Sequence, residues 1–167
     1  GMSTKDIMLM IKKDIVDPGI PGATRKILGL DVQKAFDKVT HKSVLSNLAE
    51  MNVGVRTYNY ISAFLKDRTA ILQFGGIQSP VIKLGARGTP QGAVLSPFSF
   101  NCTMRKLPEK LENILHIRHA IYADDVTIWT RTGSPDDVKK ALQEAADTVQ
   151  YYIYEIRNLL YRIRCRL

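Results

Sequence analysis

The sequence predicts an α+β fold, in which helices back an antiparallel sheet. Two observations lead to this fold class. Strand-like and helix-like segments alternate irregularly along the 167 residues, and two short β-rich runs in the second half meet at a tight turn. No internal repeat, low-complexity tract or linker divides the chain, so one domain, with at most a short appendage, accounts for its length.

The first half of the chain is expected to begin with a helix and a buried strand. Apolar residues at helical spacing predict an amphipathic helix over residues 6–16, and two Pro-Gly pairs after it predict a loop. The next apolar run predicts a strand over residues 27–32, with Asp31 near its end. Further elements are then expected in this order: a helix over Ser43–Glu50, a helix from Val55 to about Asp67, and a hairpin over residues 70–84 around Gly75-Gly76.

The second half is expected to contain two helices and another hairpin. Ser96-Pro97 predicts a helix start, because serine is a favoured N-cap and proline suits the first helical position; this helix would run to about Asn113. Later elements are expected as follows: strands over residues 117–123 and 126–130 that meet at Asp124-Asp125, and a helix from Pro135 to about Tyr154.

The composition indicates a folded and basic chain. A hydrophobic fraction of 45% suffices for a core, and 24 Lys and Arg against 16 Asp and Glu give a net charge of +8. Such a surface attracts polyanions such as nucleic acid, although a basic but otherwise ordinary domain would look the same. No zinc pattern, signal peptide or membrane span is seen, so an intracellular protein, nuclear or cytoplasmic and without membrane contact, is expected.

Adjacent carboxylates in Tyr122-Ala123-Asp124-Asp125 are the first chemical signal. Two carboxylates at a tight turn repel each other, and a cation of high charge density relieves that repulsion. Oxygen ligands of this kind suit Mg²⁺. An ordinary acidic turn is the simpler alternative, because aspartate is common in turns anyway.

A third carboxylate, Asp31, stands where the first predicted strand gives way to a more polar segment. A rigid strand end can hold a carboxylate to the tolerance that a metal site needs. An aspartate that merely ends a strand and has no chemical role would give the same sequence pattern. Asp37, at the end of the same segment, is expected to be a helix N-cap.

The loop Gly88-Thr89-Pro90-Gln91-Gly92 is the next signal. Its glycines allow the backbone to approach a ligand closely, and Gln91 offers both donor and acceptor groups. A plain loop before a helix would explain everything except the glutamine.

Taken in chain order, these three segments resemble motifs A, B and C of reverse transcriptases, with LDVQKAFDKV as A, GTPQGAVLSPFSFN as B and YADDVTIW as C. The sequences of these motifs are most similar to those of the polymerases of non-LTR (LINE-like) retrotransposons, and the resemblance covers about residues 5–150. The resemblance implies an RRM-like polymerase palm, an antiparallel sheet of four strands with helices packed on one face.

The resemblance also implies an RNA-directed DNA polymerase, which adds dNTPs to the 3′-hydroxyl of a DNA primer on an RNA template. Asp31, Asp124 and Asp125 would be the catalytic carboxylates. Together with the backbone carbonyl of Val32 they would bind two Mg²⁺ ions, with Mn²⁺ as an alternative. One ion would activate the 3′-hydroxyl, and the other would hold the triphosphate and the departing pyrophosphate.

A nucleotide-binding set is implied in the same way. The backbone amides of Lys34 and Ala35 would face the triphosphate, and Phe36 matches the steric-gate position that excludes a ribose 2′-hydroxyl. A core aromatic is the alternative for Phe36. Gln91 would contact the incoming nucleotide, and Gly92 would leave room for it.

The two ends of the chain depart from the family pattern. The thirty residues before Asp31 are fewer than the family's fingers need, and motif D is not recognised after Tyr154. Residues 1–154 are therefore expected to be a palm with a remnant of the fingers. Residues 155–167 are expected to be a divergent basic tail: a frameshifted end, a designed truncation or a basic strand that touches nucleic acid. Such a fragment would be weak or inactive alone.

Two other classes of function stay open. One is a non-catalytic nucleic-acid-binding remnant of a retrotransposon polymerase that has kept the palm fold. The other, a metal-dependent phosphodiesterase, ranks last because the sequence offers neither a general base nor a His-rich metal cluster.

Overall fold

The computed structural model describes residues 3–17, 23–157 and 164–166. A π-helical segment, Lys12–Val16, continues the first helix. In chain order the helices and strands are α1 (Thr4–Ile11), β1 (Ile27–Asp31), α2 (Ala35–Lys38), α3 (His41–Glu50), α4 (Val55–Leu65), β2 (Thr69–Ala70), β3 (Gln73–Phe74), β4 (Ile77–Gln78), β5 (Ile82–Lys83), α5 (Leu95–Met104), α6 (Leu107–Glu112), β6 (Ile117–Tyr122), β7 (Asp125–Thr130), α7 (Pro135–Arg157) and β8 (Arg164–Arg166).

The chain forms two compact units. We call residues 1–33 with 104–167 the sheet unit, and residues 34–103 the helix–hairpin unit. The three aspartates of the predicted metal site belong to the sheet unit. The predicted nucleotide-binding residues belong to the helix–hairpin unit.

The sheet unit is built on a four-stranded antiparallel sheet with the strand order β6-β7-β1-β8. The first strand in sequence therefore lies inside the sheet, hydrogen-bonded on both edges. Its side chains alternate, with Leu28 and Leu30 buried and Gly29 and Asp31 less so, as the period of a strand requires. This sheet confirms the predicted fold class.

One face of the sheet is covered by α6 and α7, which contact β6 and β7. Alternation along β7 places Val126 and Ile128 on the side away from Asp125, and both are fully buried. The long helix α7 contributes Val138, Ala145 and Val149, which recur at helical spacing and are also fully buried. Apolar burial on this side stabilises the unit.

The opposite face of the sheet carries α1. Ile7 packs with Ala120 and Trp129, and the side chains of Met10 and Ile11 pack around them. Trp129 is four residues along β7 from Asp125, so it lies on the aspartate's face. The expectation of helices on one face therefore holds for α6 and α7, while α1 adds a helix on the side of the predicted metal site.

A buried carboxylate fixes the segment that follows α1. The Asp14 side chain is 1% exposed, and its Oδ2 accepts a hydrogen bond of 3.0 Å from the Trp129 indole Nε1. Arg118 and Arg131 also approach the carboxylate, at 3.3 and 3.0 Å. A buried charge needs such partners, and here they join the first helix to the sheet.

The helix–hairpin unit packs α3 against α4, with Leu48, Ile61 and Leu65 buried. Beyond α4, β2 pairs with β5, and β3 pairs with β4. Gly75 and Gly76 connect β3 to β4 with φ angles of 53° and 83°. A two-residue hairpin turn requires such positive angles, which glycine adopts freely, so the predicted hairpin is confirmed.

The helix predicted from Ser96 to Asn113 is instead two helices, α5 and α6. Pro108 explains the break, because its ring would clash with the carbonyl of Met104, where α5 ends. The expectation that Ser96 is an N-cap was also wrong. Ser96 is the second residue of α5, and its hydroxyl donates to the carbonyl of Pro90.

At the C-terminal end, α7 runs to Arg157 and β8 pairs with β1. The region predicted to be a divergent tail therefore contributes the fourth strand of the sheet. The domain boundary at residue 154 stays a prediction. The predicted loop around Pro18-Gly19 and Pro21-Gly22 lies outside the described residues.

Candidate active site

The tip of the β6–β7 hairpin holds Asp124. Tyr122 pairs with Asp125, so Ala123 and Asp124 form a two-residue turn, and Ala123 has a φ of 51°. Positive angles of this kind match the twist of the flanking strands. The Val32 N–H donates to the Asp124 carbonyl at 3.0 Å, which ties the tip of the hairpin to the end of β1.

The register of β1 and β7 places Asp31 directly opposite Asp125. Directly opposite residues of an antiparallel pair point to the same face, with Cβ atoms about 4.5–5.5 Å apart. Two residues that are distant in sequence therefore present their carboxylates side by side. The approach of the Asp124 carboxylate to Asp31 stays a prediction.

The surroundings of this pair are open. A cavity of about 300 Å³ is lined by Asp31, Tyr122 and Asp125 from the sheet, and by Ile7 and Met8 from α1, among others. Asp31 is half-buried and Asp125 is exposed. No hydrogen bond or ion pair within the described part of the chain engages the carboxylates of Asp31, Asp124 or Asp125.

This donor set suits a hard divalent cation. In residues 3–17, 23–157 and 164–166, no group of three or more His, Cys, Asp or Glu side chains lies close enough together to hold a metal ion. The register brings together two, Asp31 and Asp125. Mg²⁺ needs no more from the protein, because it keeps several waters and is usually bound by one or two carboxylates plus substrate phosphates.

The loop Gly88–Gly92 is fastened to the segment around α2 in the helix–hairpin unit. The Gly88 N–H donates to Val39 O at 2.8 Å, and the Thr89 N–H donates to Phe36 O at 2.9 Å. His41 Nε2 lies 2.9 Å from Gly88 O. The two backbone hydrogen bonds join predicted motifs A and B, and the His41 ring adds a side-chain contact to motif B.

Gly88 is required by a close approach. Its φ is 78°, and a Cβ at this position would lie 2.9 Å from the Asp37 carbonyl oxygen. Any other residue would have to displace backbone there. The first glycine of the loop therefore serves docking within the unit.

Asp37 is not the N-cap that the sequence suggested. It lies inside α2, and Thr40 caps α3 by accepting from the Ser43 N–H at 3.2 Å. The Asp37 Oδ1 instead accepts a hydrogen bond of 2.9 Å from Gln91 Nε2. This contact orients Gln91, which the sequence singled out for nucleotide binding.

The other predicted nucleotide-binding residues are spread along the same unit. Lys34 is exposed with a φ of 53°, and Ala35 is buried. Phe36 is half-buried, with its ring centroid 5.1 Å from that of Phe100. Gly92 is exposed. A half-buried Phe36 accords with both the gate and the core alternatives, so its role stays a prediction.

Sequence reasoning missed Asp14 and His41. Their partners Trp129 and Gly88 are 115 and 47 residues away along the chain, so no local pattern marks them. The one signal in the sequence was the position of Asp14, an acidic residue on the apolar side of the first predicted helix.

Two solved structures share this fold. Apo telomerase from Candida tropicalis, truncated from the C-terminal domain, matches with a TM-score of 0.62 at 14% identity, over 92% of this chain and 33% of that chain. Telomerase from the same organism with the TWJ fragment of telomeric RNA matches with a TM-score of 0.68 at 13% identity, over 94% and 28%. At such identities the likeness concerns the fold, which is that of an α+β polymerase palm.

The family model for reverse transcriptase (RNA-dependent DNA polymerase) matches residues 16–158, and the chain belongs to this family. The Pol polyprotein of retrotransposable element R2 from Nasonia vitripennis is 34% identical over 125 residues, 68% of this chain and 12% of that protein. The RNA-directed DNA polymerase of mobile element jockey from Drosophila melanogaster is 31% identical over 130 residues, 74% and 14%. The predicted resemblance to non-LTR retrotransposon polymerases is confirmed.

The chain spans only a small part of these relatives, as it does of the R2 Pol polyprotein from Popillia japonica, of which it covers 12% at 40% identity over 85 residues. None of the helices described is long and apolar enough to span a bilayer.

Proposed function

We propose that this chain is the catalytic palm of an RNA-directed DNA polymerase, which extends the 3′-hydroxyl of a DNA primer with dNTPs along an RNA template. The observation that carries the proposal is the register that sets Asp31 opposite Asp125, beside a hairpin tip that bears Asp124. Membership of the reverse transcriptase family supplies the reaction. Work on an RNA template would place the protein in the nucleus or cytoplasm.

Asp31, Asp124, Asp125 and the Val32 carbonyl would hold two Mg²⁺ ions, for which Mn²⁺ can substitute. When bound, the ions would stabilise the attacking and leaving oxygens of an in-line displacement. The protein's part is to hold its carboxylates in place. Asp31 and Asp125 stand on paired strands, and the Val32–Asp124 hydrogen bond fixes the backbone of the tip. The Asp124 carboxylate would join this pair when the ions bind.

The helix–hairpin unit would contribute to nucleotide binding. The backbone amides of Lys34 and Ala35 would meet the triphosphate, Phe36 would select against a ribose, and Gly92 would leave space. Gln91 is already oriented by Asp37, and its side-chain oxygen stays available to an incoming nucleotide. A side chain ordered in advance loses less entropy on binding.

A non-catalytic nucleic-acid-binding role is the second candidate. The net charge of +8 favours it, because charge alone gives sequence-independent affinity for a polyanion. The two candidates differ in the role of the carboxylates. A polymerase needs them to bind metal ions, whereas a nucleic-acid-binding module does not.

Titration with Mn²⁺, followed by calorimetry, tests the proposal on this chain. Asp31→Asn and Asp124→Asn should each weaken Mn²⁺ binding by about tenfold or more, since even indirect disturbance of a metal site has effects of that order. Asp147→Asn, an exposed aspartate on α7, is the matched control and should leave binding unchanged. Equal affinity in all four proteins would overturn the metal site and favour the binding module.

A further inference from the structure

A second cavity lies in the helix–hairpin unit, where α4 ends and the β2–β5 pairing begins. Its volume is about 500 Å³, and its lining includes His41, Lys66, Arg68 and Lys83. Pairing of Thr69 with Lys83 in the hairpin fixes the backbone around it. We call this cavity the basic pocket.

The charges of the basic pocket are unbalanced. Lys66, Arg68 and Lys83 are cationic, and the one carboxylate in the lining is Asp67. Within the described residues, none of these three cations forms an ion pair or a side-chain hydrogen bond. Cationic groups around a concave surface repel one another and raise the local concentration of anions.

Two ordinary explanations cover only part of this arrangement. Lys66 and Lys83 are exposed, as solvated surface lysines are, but Arg68 is half-buried. The C-terminal end of α4 carries about half a negative charge, which a neighbouring cation such as Lys66 complements. Lys83 comes from a strand further along the chain and is not needed for that purpose.

Phosphate is the anion that this set suits best. Arg presents a planar fork that matches phosphate oxygens, and Lys adds a point charge. The basic pocket stands at the base of a hairpin whose far end exposes Phe74 by 87% and Ile77 by 76%. Proteins hold single strands with backbone phosphates on a cationic groove and bases stacked on exposed aromatic rings, and this hairpin carries cations at its base and an aromatic ring at its far end.

We propose that the basic pocket binds a backbone phosphate of single-stranded RNA, and that the β3–β4 end of the hairpin contacts the adjoining bases. This deepens the proposed function, on which it rests, by naming a contact for the template strand. His41 lines the pocket and lies 2.9 Å from the carbonyl of Gly88, so the pocket adjoins the loop that carries Gln91.

Fluorescence anisotropy of a labelled single-stranded RNA of about twelve nucleotides, titrated with the full chain, tests this. Arg68→Gln/Lys83→Gln should raise Kd by about tenfold and reduce the slope of log K against log salt by about 0.7, the value for one phosphate contact on a single strand. Lys42→Gln/Arg56→Gln, a double variant of exposed side chains on α3 and α4, removes the same charge from the same unit and should change Kd by less than about threefold.

If both double variants lose RNA affinity equally, the proposal is overturned, and binding depends on the total positive charge instead of on the pocket. A competition arm with inorganic tripolyphosphate separates the two sources of phosphate. If tripolyphosphate binding depends on Arg68 and Lys83 while RNA binding does not, the pocket serves a free triphosphate and the strand proposal fails.

Circular dichroism melts check that each variant folds, and single Lys83→Gln, at an exposed position, replaces the double variant if that one unfolds. RNA binding is measured without divalent cation. The RNA result therefore does not depend on the outcome of the Mn²⁺ titration, and the two proposals can fail separately.

Discussion

Asp14 attaches the segment after the first helix to the sheet through a buried hydrogen bond to Trp129. Asp14→Ala leaves the buried Trp129 N–H without an acceptor, so the free energy of unfolding should fall by about 1–3 kcal/mol. Loss of the ion pairs with Arg118 and Arg131 contributes less to this fall, because both arginines are about half exposed and solvent screens their charges. Asp14→Asn keeps an acceptor for Trp129 and should cost less than the alanine variant. Urea denaturation measures both, and equal stability of all three proteins would contradict this account.

Asp125 and Asp31 are like charges in directly opposed positions. Without divalent cation, Asp125→Asn should therefore stabilise the chain, by about 0.2–1 kcal/mol. With Mn²⁺ present the variant should instead be less stable than the wild-type chain. A ligand that binds the folded state stabilises it, and the variant binds Mn²⁺ more weakly. Thermal melts with and without Mn²⁺ check this, with Asp147→Asn as the control. A variant whose melting point moves equally in both conditions would argue against the site.

His119 gives the chain a pH dependence. Burial lowers the pKa of His119 below its ordinary value of 6.5, and the nearby Glu112 opposes this in part. The unfolded chain therefore binds a proton more readily than the folded one, so stability falls as the pH falls through about 6.5. His119→Gln should flatten the fall of the melting temperature between neutral pH and about pH 5.5. An unchanged profile would show that other groups dominate.

At the scale of elements, the loop between β5 and α5 depends on two glycines with different demands. Both have positive φ, but a Cβ on Gly92 meets nothing within 4 Å, whereas one on Gly88 meets the Asp37 carbonyl at 2.9 Å. Gly92→Ala should cost about 1–2 kcal/mol for its backbone conformation alone. Gly88→Ala should cost clearly more, since it adds a clash with backbone. Chemical denaturation compares the pair, and similar losses would mean that the loop does not rest on α2.

For the whole molecule, the proposed polymerase activity depends on the positioning of the reactants. The chain spans 12% to 14% of the R2 and jockey relatives, and misplacement of reactants costs large factors in rate. The 167-residue chain should therefore bind primed RNA at low salt, lose that binding as salt rises, and show little processive synthesis. Primer extension with Mg²⁺ or Mn²⁺ measures this.

A longer polypeptide with the flanking segments of such a relative should recover synthesis, and Asp124→Asn in it should abolish that activity. Robust synthesis by the 167-residue chain alone would contradict the argument.

Elements with strong local patterns were predicted correctly from the sequence. The apolar run of β1, the hairpin around Gly75-Gly76 and the periodic helix α7 all follow from contacts within a few residues. The three motifs, in their order along the chain, likewise sufficed to predict the family. Errors arose where one residue type suits several roles, as with Ser96 and Asp37, which favour caps in general but here bond elsewhere.

Local patterns in the sequence predicted most of the strands and helices and the family, and they named the residues that we expect to carry the chemistry. Three contacts follow from the folded chain alone: Asp31 pairs with Asp125, Asp37 binds Gln91, and cations gather beside α4. They escape prediction because periodicity shows which face of an element is apolar but not which element will cover it. That choice depends on burial and hydrogen bonding summed over the folded chain, between residues such as Asp37 and Gln91 that are 54 positions apart.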